Sequence, residues 1–118
     1  MKNKNTNSTR YYSDLHETSV AKAVNGERVS NSGAGKFSAG DVVQKQASLL
    51  IECKTVMTEK QSVSVKHEWL NKNKEEAFSN RLDNNCLCIN FGPETDNYYI
   101  IDEKLMKFLV EKLEEENS

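Results

Sequence analysis

Two carboxylates and one lysine are spaced in the chain in a way that could hold a divalent cation. Asp41 opens one predicted strand, and Glu52 and Lys54 end the next. Side chains alternate across a β-strand, so Glu52 and Lys54 project from one face and Cys53 from the other. A hairpin between these strands would bring Asp41 beside Glu52. Two converging carboxylates repel each other, a cation resolves that repulsion, and hard oxygen ligands favour Mg²⁺ or Mn²⁺.

A cation held by these acids could support the hydrolysis of a phosphodiester. It would polarise the scissile phosphate and lower the pKa of a bound water. Lys54 could orient or deprotonate the attacking water, or offset charge in the transition state. The alternative is an ordinary salt bridge on a solvated strand. Chemistry is favoured because Glu52 and Lys54 end the most apolar segment of the chain, where a charged pair is costly without a role.

The composition indicates one soluble globular domain. A chain of 118 residues, 29% charged and 36% hydrophobic, is long enough for one compact domain and too short for two. We predict a disordered lead-in over residues 1–12, without a signal or membrane segment, and a folded domain over 13–118. The three cysteines have no CxxC spacing, which predicts reduced thiols and a cytoplasmic location rather than a disulfide framework or a zinc site.

The distribution of charge is more informative than the net charge of −2. Residues 102–118 carry three lysines against six acids, whereas the rest of the chain carries 13 basic and 12 acidic side chains. If a cation neutralises some of those acids, the remaining surface is mildly basic. That surface is compatible with DNA but does not demand it.

The hydrophobic periodicities predict an α/β fold, a mixed sheet flanked by helices. The expected order is helix, strand, strand, strand, helix, strand, strand, helix. The helices are predicted over residues 13–24, 64–81 and 104–115, and the strands over 27–30, 40–43, 49–54, 86–91 and 98–101. Ser13 is expected to cap the first helix, and Gly26 to end it.

The two later helices are predicted to pack through apolar faces. In the second helix this face consists of Val65, Trp69, Leu70, Ala77 and Phe78. In the third helix we expect the inward side chains to be Leu105, Phe108, Leu109 and Leu113.

The segment Gly40-Asp41, ten residues and then Glu52-Cys53-Lys54 resembles the signature of the PD-(D/E)XK nucleases. With Ser32-Gly33-Ala34-Gly35 upstream, residues 13–101 resemble the Holliday junction resolvases of the archaeal type and their phage and bacterial relatives. The resemblance implies a single restriction-endonuclease-like domain with an αβββαβ core. It also implies a Mg²⁺-dependent endonuclease that cuts DNA, with a four-way junction as the preferred substrate, and a homodimer that makes two symmetric cuts.

The resemblance also implies roles for individual residues. Asp41 and Glu52 match the metal ligands, joined by the backbone carbonyl of Cys53, and Lys54 matches the catalytic lysine. Glu17 matches the additional acid, and Ser32 the loop serine that contacts the phosphate. The remaining predicted DNA contacts are Gly33, which lets the backbone approach a phosphate, Lys36 and Lys66.

Two departures from the family pattern leave alternatives open. Gly40 stands where the family usually has proline, and the stretch between Glu17 and Ser32 is shorter by about one turn of helix, so that Glu27 is a second candidate for the additional acid. The other functions considered are a different small nuclease or nickase of a phage or mobile element, an inactive DNA-binding module, and a metal-free interaction module.

Overall fold

The structure is a computed structural model that describes residues 9–29, 37–38 and 40–118. In these described residues, three helices and five strands follow the predicted order, which is confirmed. The helices are α1 (Thr9–Val24), α2 (His67–Ser79) and α3 (Glu103–Asn117). The strands are β1 (Glu27–Arg28), β2 (Asp41–Gln44), β3 (Leu49–Lys54), β4 (Asn84–Ile89) and β5 (Tyr98–Ile100). Among the described residues, no helix is long and apolar enough to cross a membrane.

The strands form one mixed sheet in the order β1-β2-β3-β4-β5. Strands β1, β2 and β3 are antiparallel neighbours, β4 runs parallel to β3, and β5 is antiparallel to β4. The parallel pair requires a crossover, and α2 supplies it. The molecule is therefore a single α/β domain, as the periodicities predicted.

The helices α1 and α2 pack on opposite faces of the sheet. On the α1 face, Val20 packs in a core with Val42, Ile51, Cys86 and Cys88. On the α2 face, the core consists of Ala77 with Val43 and Leu50. Because side chains alternate along β2 and β3, Asp41 and Glu52 face α2 together with Val43 and Leu50.

Several predicted boundaries are wrong. Helix α1 begins at Thr9 rather than Ser13, so the last four residues of the expected disordered lead-in are helical, while residues 1–8 lie outside the described part of the chain. The left-handed residue that ends α1 is Asn25, with φ 55°, and Gly26 instead lies against the sheet, where a Cβ would come within 2.9 Å of the Val43 carbonyl oxygen. Strand β4 begins at Asn84, two residues before the predicted start at residue 86, and ends at Ile89 rather than at residue 91.

The predicted inward face of α2 is confirmed at Ala77 and wrong at Phe78, and the predicted inward face of α3 is largely wrong. In α2, Phe78 is 84% exposed, and the fully buried side chain is the polar Asn73, which accepts a hydrogen bond of 2.8 Å from the Asn85 amide. In α3, capped by Asp102, no residue is buried, and Leu105 is the one half-buried side chain. Phe108, Leu109 and Leu113 are 51%, 41% and 62% exposed.

Candidate metal centre

Three carboxylates converge at the start of the β2–β3 hairpin. The strand register places Asp41 directly opposite Glu52, as the predicted hairpin requires. Glu76, from α2, completes the group, and one oxygen from each of the three acids lies within 4.8 Å of the other two. Asp41 is fully buried and Glu52 is 5% exposed.

The oxygens in this group are only partly satisfied by protein. Asp41 Oδ2 accepts a hydrogen bond of 3.0 Å from the Ser38 amide, and the Ser38 hydroxyl donates to Glu76. Among the described residues, Asp41 Oδ1, Glu52 Oε1 and Glu76 Oε1 are buried without a hydrogen-bond partner. A buried carboxylate oxygen without a partner is costly, so these three oxygens form a site that a cation would stabilise.

The acids also perturb each other's protonation. Burial raises the pKa of Asp41 to about 9 from its usual 3.8, and the nearby carboxylates of Glu76 and then Glu52 add to the rise. The hydrogen bond from the Ser38 amide opposes it. Without a cation, Asp41 therefore retains its proton at neutral pH. A bound cation has to displace that proton, because metal ligands act in the deprotonated form.

Lys54 lies beside these acids. Its Nζ is 3.1 Å from Glu52 Oε2, and about a third of its side chain is exposed. The same ammonium lies 4.7 Å from the ring centroid of Trp69 in α2, on the aromatic face that favours a cation. Lys54 is thus held between a carboxylate and an aromatic ring, with access to solvent.

The other predicted ligands lie around this group rather than in it. Glu17 is buried on α1, on the other side of the sheet, where its Oε1 accepts a hydrogen bond of 2.9 Å from Arg28. Its Oε2 is close to the backbone of Gly40, only 3.3 Å from where a Cβ would lie. Glu27 is exposed, 4.0 Å from Lys45. The Cys53 amide donates a 3.2 Å hydrogen bond to the Gly40 carbonyl, and the role of the Cys53 carbonyl stays a prediction.

The predicted DNA contacts divide into two groups. Ser32, Gly33 and Lys36 lie outside the described residues. Lys66 immediately precedes α2, and its Nζ is 5.9 Å from the centroid of the Trp69 ring. Lys66 and Lys54 therefore converge on one aromatic ring next to the carboxylates.

Sequence reasoning missed Glu76. The sequence does mark the buried face of α2, but with side chains that are mostly polar. At helical spacing these are Trp69, Asn73, Glu76 and Asn80. A search for apolar side chains along α2 could not find a face that is built largely from polar ones.

The chain was compared with protein-family models, with curated proteins and with solved structures, and nothing in these comparisons matches it.

Proposed function

We propose that the protein is a metal-dependent nuclease that cuts DNA. The observation that carries the proposal is the convergence of Asp41, Glu52 and Glu76, whose buried oxygens lack protein partners, beside Lys54. All three ligands are hard carboxylate oxygens, which suit Mg²⁺ or Mn²⁺. When bound, such an ion supplies Lewis-acid polarisation of a phosphate and an acidified water.

The protein's own side chains bind the cation, orient its ligands and contact the substrate. Asp41, Glu52 and Glu76 hold the cation, and the Ser38 amide and hydroxyl fix the orientation of two of these carboxylates. Lys54 is the group that can reach a substrate, since it is part-exposed at the edge of the acids. Its ammonium can offset the negative charge that develops on a phosphate or orient the attacking water. Its pairing with Glu52 keeps it in place before substrate binds.

The choice of DNA as substrate, and of a branched junction, rests on the resemblance to the resolvases of the PD-(D/E)XK superfamily. The order of elements supports this choice, because it is the order expected of an αβββαβ restriction-endonuclease-like core. That order is a helix, three antiparallel strands, a crossover helix and a parallel strand. Glu76 is an addition to the residues that the resemblance implies. Glu17 acts in this proposal through the backbone, because it lies against Gly40 directly before Asp41.

The test is cleavage of a labelled four-way junction beside a linear duplex of the same sequence, with Mg²⁺, with Ca²⁺ and with EDTA. We expect paired symmetric cuts in the junction only, with Mg²⁺ only. Equal cutting of both substrates would support another small nuclease or nickase and exclude junction selectivity. Absence of cutting with Mg²⁺, and also when Mn²⁺ replaces Mg²⁺ in the same assay, would favour an inactive DNA-binding module and contradict the proposal.

We also propose that two copies of the chain pair through α3. Five apolar side chains of this helix are exposed in the described part of the chain, and Leu105 beside them is only half-buried. The five are Met106, Phe108, Leu109, Val110 and Leu113. An isolated helix of 15 residues is marginal in water, so α3 needs a surface that covers these side chains. A second α3 offers a surface of the same width and character.

The charges of α3 favour an antiparallel pair. Residues 103–109 carry two lysines and one glutamate, whereas residues 110–117 carry one lysine and four glutamates. The glutamates Glu114, Glu115 and Glu116 lie at the carboxyl end of the helix, where its own dipole is unfavourable to negative charge. An antiparallel partner brings the positive end of its helix, with Lys104, to those glutamates. A parallel partner would bring acid against acid.

We expect the protein to sediment as a dimer at micromolar concentration. Leu109→Glu should sediment as a monomer, because the glutamate would place a charge in the apolar face between the two helices. Glu111→Ala, on the opposite face of α3, is the matched control and should remain dimeric. Cross-linking then reports direction: a mixture of Met106→Cys and Leu113→Cys should form a disulfide that neither variant forms alone. A Met106→Cys homodimer disulfide would indicate parallel helices, and a monomeric wild type would contradict the pairing.

A further inference from the structure

A second cleft opens next to the carboxylate group, at the carboxyl ends of β3 and β4. We name it the Trp69 cleft; it has a volume of about 280 Å³, and its lining includes Lys54, Lys60, Ser62, Ser64, Trp69 and Asn90. It lies under the connection between β3 and α2. Lys54 belongs both to this cleft and to the surroundings of Glu52, so the two sites share a wall.

The lining of the Trp69 cleft is suited to an anion. Of the described residues, two lysines line it and no acid does. The hydroxyls of Ser62 and Ser64 face this space with no hydrogen bond to the described part of the chain, whereas the Thr55 hydroxyl donates a 2.7 Å hydrogen bond to Asn90. Free hydroxyls and ammonium groups are the side-chain donors that phosphate oxygens accept.

The aromatic wall of the cleft adds a second recognition element. The Trp69 ring is half-buried, and Lys66 approaches it at 5.9 Å from outside. Lys66 is exposed, so its contact with the ring is weak and can be exchanged for a contact with a phosphate. Every base has a flat face that stacks on an aromatic side chain. A cleft of about 280 Å³ is large enough to admit one base.

The connection that closes the cleft is fixed to the sheet. The Lys60 amide donates a 2.8 Å hydrogen bond to the Phe91 carbonyl. Gly92, with φ 145°, lies so close to the same connection that a Cβ on it would come within 2.7 Å of the Glu59 Cα. The cleft is therefore preformed, and a ligand that enters it loses little affinity to ordering of the protein.

We infer that the Trp69 cleft binds one unpaired nucleotide of DNA, with its base stacked on Trp69 and its phosphate held by Lys60 and Lys66. This inference rests on the proposed function for its choice of DNA. The cleft thereby selects a feature of the substrate that the carboxylates alone do not select. That feature is an unpaired nucleotide next to the phosphate at the acids. Lys54 then lies between the stacked base and the reacting phosphate.

Trp69 is the only tryptophan in the chain, which makes the test direct. Short oligothymidylate is titrated into the protein in EDTA, where no metal-dependent cleavage occurs, and the tryptophan emission is followed. We expect saturable quenching. Trp69→Phe, assayed by anisotropy of a labelled oligomer, should keep most of the affinity, while Trp69→Ala should lose about tenfold. Lys60→Ala should also weaken binding, and Lys45→Ala, which removes an equal charge from the β2–β3 turn, should not.

Three outcomes would overturn this inference. An abasic oligomer of equal length that binds as tightly would show that only phosphates are recognised. Equal binding by wild type and Trp69→Ala would show that the ring is not in contact with the base. Equal quenching by an RNA oligomer would overturn the assignment to DNA. Failure of the proposed function is distinguishable, because quenching in EDTA without any cleavage in Mg²⁺ would support the cleft and contradict the nuclease.

Discussion

Replacement of Asp41 with asparagine is expected to lower the rate of junction cleavage by about 10³-fold or more while making the metal-free protein more stable. The rate falls because the fully buried ligand loses its charge. Stability rises because the folded wild type has to keep Asp41 protonated near pH 8, whereas asparagine is neutral in both states, and we expect a gain of about 2 kcal/mol or more in the free energy of unfolding. Mg²⁺ should raise the Tm of the wild type and not of Asp41→Asn.

The same variant should change how stability depends on pH. The pKa of Asp41 is about 9 in the folded, metal-free protein and has its usual value of 3.8 when unfolded. Between these values the folded state holds a proton that the unfolded state releases, so the free energy of unfolding falls as the pH rises from about 4 toward 9. Asp41→Asn should flatten this slope. Saturating Mg²⁺ should also reduce it in the wild type, because the bound cation replaces the proton.

Thermal or urea unfolding between pH 5 and 9, with EDTA and with Mg²⁺, measures both effects. Asp83→Asn is the control, since Asp83 is an exposed acid at the far end of the sheet. A Tm of Asp41→Asn that still rises with Mg²⁺ would exclude Asp41 as a ligand. A slope that is unchanged in the variant would mean that another buried group carries the pH dependence.

Replacement of Lys54 with methionine is expected to separate cleavage from metal binding. The cleavage rate should fall about 10²- to 10³-fold, because the ammonium no longer offsets the charge of the reacting phosphate. The affinity for Mg²⁺ should be unchanged or higher, since the variant removes the cation that pairs with Glu52 at 3.1 Å. Methionine preserves the length of the side chain and its contact with the Trp69 ring.

Single-turnover cleavage and Mg²⁺ titration by thermal shift measure the two effects independently. Lys72→Met, on the exposed face of α2, removes the same charge away from the site and should leave both unchanged. If Lys54→Met cleaves at the wild-type rate, then Lys54 is only the salt-bridge partner of Glu52. If Lys54→Met instead fails to bind Mg²⁺, its slower cleavage would result from a disrupted metal site and not from the missing ammonium.

The order of elements and the β2–β3 hairpin could be predicted from sequence because both depend on local signals. Apolar runs such as residues 49–54 mark strands whatever packs on them, and a short connection joins antiparallel neighbours. The hairpin alone brings Asp41 to Glu52, so two of the three converging acids followed from local pattern.

The packing of the helices could not be predicted in the same way. The periodicity method assumes that the face toward the sheet is apolar, and α2 buries Asn73 and brings Glu76 to the acids while Phe78 points to solvent. In α3 the apolar stripe is present, but no core in the described part of the chain covers it. A pattern of side chains shows that a face exists and does not show what covers it.

The sheet face opposite the acids has a consequence for the reactivity of the protein. Cys86 and Cys88 lie in the core beneath α1, and burial raises the pKa of their thiols to about 12 and about 11. Burial also raises the pKa of Cys53, far above the pH of the cell. Since only the thiolate reacts quickly with alkylating agents and peroxide, all three should be slow targets. A thiol introduced on the surface should therefore outcompete the native cysteines for a maleimide, and site-specific labelling should not require their removal.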